Sequence, residues 1–312
     1  MNSVIVWGAG HDYQAIYNLL KFEELKGNIE IIAIADSNRR QSEIDNYLVI
    51  SSQEISRYNY DFIIISSSRY FAEIVRQAET LGINRDCLIP GYVFQIPCFD
   101  FKAYASLKRN PVSIISDDCW GGNVYHYLGL RFDSPFINCY IHNDDFVKML
   151  EDLSYYIDQP LKMEDEGTQW KTPIGSLGED TKKIYIHFNH CYLFEDARRD
   201  FERRKSRINR NNLFIKMSFG WGKYSDDTVR KYDNLIFEKK IFLAPFETNF
   251  NSSITPQYFL EEFQNRNLEN YHLQPRDYKG FFQNIDLFAR QYNIFDLLLT
   301  GNICERKKVL IR

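Results

Sequence analysis

A chain of 312 residues suggests about two domains, and 44% hydrophobic with 16% aromatic content is ample for real cores, which excludes global disorder. A net charge of -4 gives no footprint for DNA or RNA, and no run approaches the roughly 18 apolar residues of a membrane span. The six cysteines (Cys87, Cys98, Cys119, Cys139, Cys191 and Cys304) are scattered without a Cys-x-x-Cys pair, which argues against a zinc ribbon or a disulfide framework.

The opening stretch, MNSVIVWGAG, enters a strand directly and lacks a basic segment and a cleavage site. A cytoplasmic protein with reduced thiols is the expectation. Val4 to Trp7 reads as a buried strand, and Gly8-Ala-Gly10 turns it toward a helix over about Tyr13 to Leu25. Ile29 to Ala35 is a second strand, ending at Asp36. Tyr47 to Ile50 is a short extended piece, and Ser51 with Glu54 has capping-box spacing for a brief helix. Phe62 to Ser66 is the next strand, followed by a helix from about Tyr70 to Leu81 and a closing strand at Cys87 to Ile89. Alternating strands and helices imply right-handed crossovers and a mostly parallel, Rossmann-like sheet.

Glycines after a first strand let backbone approach a phosphate at a helix N-terminus. Gly8 and Gly10 fill the first two positions of G-x-G-x-x-G, but Tyr13 replaces the third glycine. Asp36 stands where a ribose hydroxyl would be accepted; it equally caps a turn at Asp36-Ser-Asn38. A nucleotide or nucleotide-sugar on Gly8, Gly10 and Asp36 is therefore one reading, and a purely structural or regulatory module the other.

Pro90, Gly91, Pro97 and Pro111 punctuate the next segment, which places a boundary near residue 108. The domains expected are 1–107, Rossmann-like, and 108–312, a second and larger α/β domain. Val112 to Ile115 is a strand that runs into Ser116-Asp117-Asp118-Cys119-Trp120-Gly121-Gly122, with a helix from about Asn123 to Gly129. The glycine pair suits an anion site, while Asp117 and Asp118 suit a general base, a hydroxyl acceptor or a hard cation. Helix capping explains the same acids, and core packing explains Trp120. Phe136 to Tyr140 reads as a strand, and Asn143-Asp144-Asp145 as the cap of a helix to about Ile157.

Ile184 to Phe188 is the next strand, with His187, Asn189 and His190 at its exit. Imidazole titrates nearest neutrality and is the natural proton shuttle, although hydrogen-bonded structural histidines look the same. The helix from Phe194 to Ile208 carries acids early and bases late, so a solvated amphipathic face accounts for most of it. Arg207 and Arg210, at its end, are the better phosphate candidates. Leu213 to Met217 and Ile241 to Ala244 are further strands, the first exiting at Ser218-Phe-Gly-Trp221-Gly; Thr255-Pro256 starts a helix, and Phe281 to Leu299 is mostly helical.

The motifs SIISDDCWGG, YHYLGLRFDSPFIN, DFVKML, IHFNH and RRKSRINRNNLFI together resemble a bacterial family termed domain of unknown function 1919. Its members commonly look like exopolysaccharide or capsule biosynthesis proteins. The WGAG…ADSN…DFIIISSS pattern is similar to nucleotide-fold domains attached to polysaccharide-modifying enzymes. The family pattern carries Asn where this chain has Asp117 and Asp118, and an amide cannot act as a base.

The resemblance implies surface-polysaccharide assembly. The expectation is a transferase acting on an activated or phosphorylated sugar. In it Asp117, Trp120, Gly121, Gly122, Asn189, Arg207 and Arg210 contact substrate, His187 or His190 moves a proton, and Asp118 orients the acceptor hydroxyl or a divalent ion. The alternative is a non-catalytic nucleotide- or sugar-binding regulatory protein of the same pathway. Both readings take a small sugar or nucleotide-sugar as ligand and leave room for a divalent cation and for a homo-oligomer. No set of protein ligands for a resident metal is read from the sequence.

Overall fold

The computed structural model describes residues 1–36, 42–165, 172–219, 225–258 and 283–306. The chain divides into two compact units, Met1–Asn110 and Pro111–Arg312, both of α/β type.

In the first unit the strands are β1 (Asn2–Trp7), β2 (Ile29–Ala35), β3 (Glu43–Ile44), β4 (Tyr47–Ile50), β5 (Phe62–Ile65) and β6 (Leu88–Pro90). Helices α1 (His11–Leu25), α2 (Phe71–Thr80) and α3 (Phe101–Arg109) connect or follow them. The sheet order is β3-β4-β2-β1-β5-β6, and every pairing except the β3–β4 hairpin is parallel. Parallel strands covered on both faces read as continuous β-branched runs, and Val4, Ile5, Val6, Ile63 and Ile64 are all fully buried. The Ser51–Glu54 capping box forms, with Glu54 accepting from the Ser51 backbone N–H at 2.8 Å. Asp45 and Asn46, both at positive φ, make the two-residue turn of the β3–β4 hairpin.

The second unit holds a parallel sheet of order β13-β12-β11-β7, from β7 (Ser113–Ser116), β11 (Leu213–Ser218), β12 (Lys240–Leu243) and β13 (Ser253–Ile254). An antiparallel trio, β8 (Lys162–Asp165), β9 (Ile174–Leu177) and β10 (Ile184–His187), has the order β10-β9-β8. The helices are α4 (Trp120–Tyr127), α5 (Asn143–Glu151), α6 (Leu153–Asp158), α7 (Phe194–Lys205), α8 (Asp226–Asn234), α9 (Ile285–Gln291) and α10 (Ile294–Thr300). The segment around Tyr140 and Ile141 links the two sheets: Ile141 N donates to Asp117 O at 2.8 Å, and Tyr140 exchanges backbone bonds with His187.

Three local expectations differ from the structure. Phe136 to Tyr140 forms no strand. Pro135 brings no N–H, Asn138 sits at φ +60°, and Tyr140 alone bridges. The helix from Asn143 breaks at Asp152, whose φ of -142° and ψ of 53° separate α5 from α6. The helix after Ser116 begins at Trp120, one turn earlier than its glycines suggest. The turn at Ser37-Asn38, the exit at Gly220-Trp221-Gly222, most of the helix after Thr255-Pro256, and Phe281 lie outside the described residues. Among the described residues, no helix is long and apolar enough to cross a membrane.

Candidate functional site

Several strands of the two sheets run out into polar residues: Asp36 follows β2, Ser66 follows β5, and Ser116 and Ser218 end β7 and β11. Open α/β sheets bind ligands at those carboxyl ends. In the first unit the chain lays β2 and β4 on one side of β1, then β5 and β6 on the other. A crevice of about 480 Å3 opens where the order reverses, lined by Gly8, Gly10, Asp36, Ser66 and Arg69 among others.

The turn at the crevice is built from glycine. Gly8 sits at φ +105°, and its N–H donates to Ala35 O at 2.8 Å. Ser66 Oγ donates to Gly8 O at 2.8 Å and would lie 2.6 Å from any Cβ placed on Gly8. Asp36 Oδ2 accepts from Ala9 N at 2.7 Å, so the expected ribose-binding carboxylate also clasps the turn. Gly10 caps α1 without a side-chain bond. Tyr13 is fully buried and packs edge-on against Tyr17, filling the space that a third glycine would leave open.

In the second unit the two aspartates close on a lysine of the neighbouring strand β11. Lys216 Nζ donates to Asp118 Oδ1 at 2.7 Å, to Ser218 Oγ at 2.9 Å and to Asp117 Oδ1 at 3.1 Å. All three charged side chains are fully buried. Asp117 Oδ2 accepts from Ser218 N at 2.9 Å and from Asn143 Nδ2 at 3.4 Å; Asp118 Oδ1 accepts from Trp120 N at 2.9 Å. Burial pushes Asp117 up to about 7, against the pull of Lys216 and with the push of Asp118. The pair thus forms an internal polar cluster with Lys216 and Ser218.

Gly121 and Gly122 are buried in the first turn of α4. A Cβ on Gly121 would meet Ile114 Cγ2 at 3.0 Å, and one on Gly122 would meet Ile137 Cγ2 at 3.2 Å. The smallness of Gly121 seats α4 on β7, and that of Gly122 admits the Ile137–Asn138 segment. Trp120 has no exposed surface; it stacks on Phe214 and meets Phe288 edge-on.

His187 lies at the end of β10 with its ring stacked on Tyr140, centroids 4.3 Å apart at 7°. His142 stands edge-on to it at 5.2 Å. The next residue, Asn143, bonds Asp117, so this ring cluster borders the aspartate–lysine network. Asn189 is half-buried and His190 exposed in the turn that follows β10.

Arg207 and Arg210 are elsewhere. Both precede β11, and the neighbouring Asn209 bonds Ser113 and Pro111 at the start of β7. That is the amino end of the sheet, opposite Asp117. Arg210 pairs with Asp158, and burial pulls Arg207 below the usual guanidinium range, with Asp133 acting against it. The aspartates and His187 therefore gather at one sheet end and the arginines at the other. Among the described residues no three His, Cys, Asp or Glu side chains cluster to hold a metal ion.

Residues 91–289 match the domain of unknown function DUF1919, well over half of the chain. The chain belongs to the DUF1919 family. Residues 1–89 match a second family, described as C2185-like, N-terminal. An uncharacterized protein of Haemophilus influenzae is 30% identical over 163 residues, spanning 52% of this chain and 73% of the relative. The crystal structure of a D-galactose-1-dehydrogenase protein from Rhizobium etli covers 78% of this chain and 97% of its own at 11% identity; its TM-score of 0.23 carries neither fold nor function across.

Several members of the site in this DUF1919 chain escaped the sequence reading. Lys216 had a signal: an ammonium inside the apolar run Leu213–Ser218 must find carboxylates when buried. Asn143 reads equally well as a helix cap, and His142 and Tyr140 carry no motif. In the first unit Asp12 and Arg69 face the crevice and had no pattern to announce them.

Proposed function

We propose that this DUF1919 protein serves surface-polysaccharide biosynthesis by binding a nucleotide or nucleotide-sugar in the crevice of its Met1–Asn110 unit. One observation supports this above others. The Gly8 turn, the start of α1, Asp36 and the loop after β5 converge where the strand order reverses, the place where doubly wound sheets hold such ligands. The crevice volume of about 480 Å3 falls within the range of small-molecule sites. The polysaccharide theme comes from the resemblance carried by the motifs between Ser113 and Ile215. Isothermal titration of the full chain with UDP- and GDP-sugars, their nucleotides and NAD tests the reading: saturable binding by one of them is the expected result. No binding by any of them sinks it.

A second reading, a transferase acting on an activated sugar, draws on the rings of His142 and His187 beside the strand ends at Asp117 and Ser218. In it a histidine moves the acceptor proton. Sugar transfer from an activated donor would then fall roughly 100-fold or more in a His142→Ala, His187→Ala variant, the usual size of general acid–base catalysis. The same substitution pair at His187 and His190 separates the stacked ring from the exposed one. Transfer unchanged in both variants removes the histidine role.

A further inference from the structure

The crevice of the first unit carries an unusual charge arrangement for a phosphate site. Among its described lining residues Asp12, Asp36 and Glu73 are acidic, and Arg69 and His11 are basic. Asp12 matters most. It occupies the first turn of α1, one residue before Tyr13, where a pyrophosphate in a doubly wound sheet meets the free N–H groups and the positive end of the helix. That end already holds a carboxylate. Asp12 Oδ2 also accepts the Ser68 N–H at 2.8 Å, so an amide donor of the facing loop is taken as well. The Asp12 side chain remains 40% exposed on the crevice, with the imidazole of the exposed His11 3.7 Å from its Oδ1.

What remains suits hydroxyls. Asp36 lies at the end of β2, where an acidic residue takes a ribose diol. Tyr70 is half exposed at the rim, with Arg69 over its ring at 5.4 Å, a surface on which a flat base or a sugar ring can lie. We infer that the crevice recognises vicinal hydroxyls of a nucleoside or sugar, and that Asp12 keeps a diphosphate off the Gly8–Gly10 turn. This deepens the binding reading above and rests on it. A bound nucleotide-sugar then directs its phosphates outward, past Arg69, and dinucleotide cofactors are poor ligands.

The test is titration calorimetry on the full chain with uridine, UMP, UDP and UDP-glucose, the matching guanosine and adenosine series, NAD, and free hexoses. For wild type the expected affinities within a base series stay within about threefold as phosphates are added, because helix-end attraction and carboxylate repulsion offset each other. Asp12→Asn keeps an acceptor for Ser68 N while removing the charge, and raises affinity for diphosphates about five- to tenfold over the nucleoside. Asp36→Asn still accepts from Ala9 N but loses the charged hydroxyl acceptor, and weakens nucleoside binding about tenfold or more. Binding by nucleosides assigns the diol to ribose; binding by hexoses alone assigns it to the sugar. A wild-type preference for UDP or NAD over nucleosides of tenfold or more, unchanged in Asp12→Asn, overturns this inference and leaves the binding reading standing. Failure of every ligand to bind removes both.

Discussion

Lys216 donates to Asp118 across 2.7 Å in a place where neither side chain reaches solvent. Asp117 completes the triad at 3.1 Å, so one buried ammonium serves two carboxyl groups. The attraction of such a cluster is largely offset by desolvation, yet breaking it leaves an unpaired buried charge. Lys216→Met should therefore destabilise the protein by about 3–5 kcal/mol, the typical cost of removing one partner from a buried pair. Urea unfolding of the full chain measures this. Restoring balance with Asp118→Asn in the same chain should recover part of the loss. A Lys216→Met variant as stable as wild type would show that the triad holds nothing in place.

Asp117 gives the network a pH signature. Burial lifts it to about 7, far above the ordinary carboxyl value that the unfolded chain restores. Between about pH 4 and 7 the folded state then holds a proton that the unfolded state has released, so folding stability falls as pH rises across that window. The slope approaches about 1.4 kcal/mol per pH unit at most. In Asp117→Asn, which cannot titrate, this component disappears. The stability advantage of wild type over the variant should be largest near pH 4 and shrink toward pH 7. Measured unfolding midpoints with the opposite trend would mean that Lys216 holds Asp117 ionised.

Gly8 carries the turn that shapes the first-unit crevice. An alanine there must adopt φ +105° and push its Cβ to 2.6 Å from Ser66 Oγ, whose hydroxyl already bonds Gly8 O. Backbone strain of this kind costs about 1–3 kcal/mol. Gly8→Ala should lower the unfolding midpoint and abolish ligand binding in the crevice, whereas Gly10→Ala, with open space around it, should leave stability nearly unchanged. Equal behaviour of the two variants would contradict this account.

The parallel strands were legible because burial on both faces makes them uninterrupted apolar runs: Val4–Trp7, Ile31–Ala35 and Phe62–Ile65 show it directly. Phe136–Tyr140 is also mostly apolar and forms no strand: Pro135, visible in the sequence, brings no N–H, and the left-handed turn at Asn138 is a conformation that hydrophobicity does not report. The strand-end site was partly legible as well. Asp117 and His187 follow strands and do come to the same region, through the Tyr140–His142 segment. Arg207 and Arg210 lie away from Asp117 for a reason available in the sequence: a loop leading into a parallel strand lies at the opposite end of the sheet from a loop leading out of its neighbour. Lys216 went unread because pairing of a buried charge is settled by long-range register, here Lys216 beside Ser116.

Gly121 offers a test of packing against chemistry at the start of α4. In a helix interior, glycine to alanine normally stabilises by about 1 kcal/mol through backbone entropy. Here the added methyl would stand 3.0 Å from Ile114 Cγ2 and 3.3 Å from Ser116 Cβ, on a strand whose Ser116 hydroxyl bonds Asp118. Overpacking of a filled core costs about 1–3 kcal/mol, so the contact should outweigh the helix gain and Gly121→Ala should be net destabilising. Gly122→Ala, facing Ile137 Cγ2 at 3.2 Å on an irregular segment that can yield, should cost less. Chemical unfolding of both variants decides the order. A stabilised Gly121→Ala protein would mean that α4 is free to lift from β7, and the glycine pair would then need a role other than close packing.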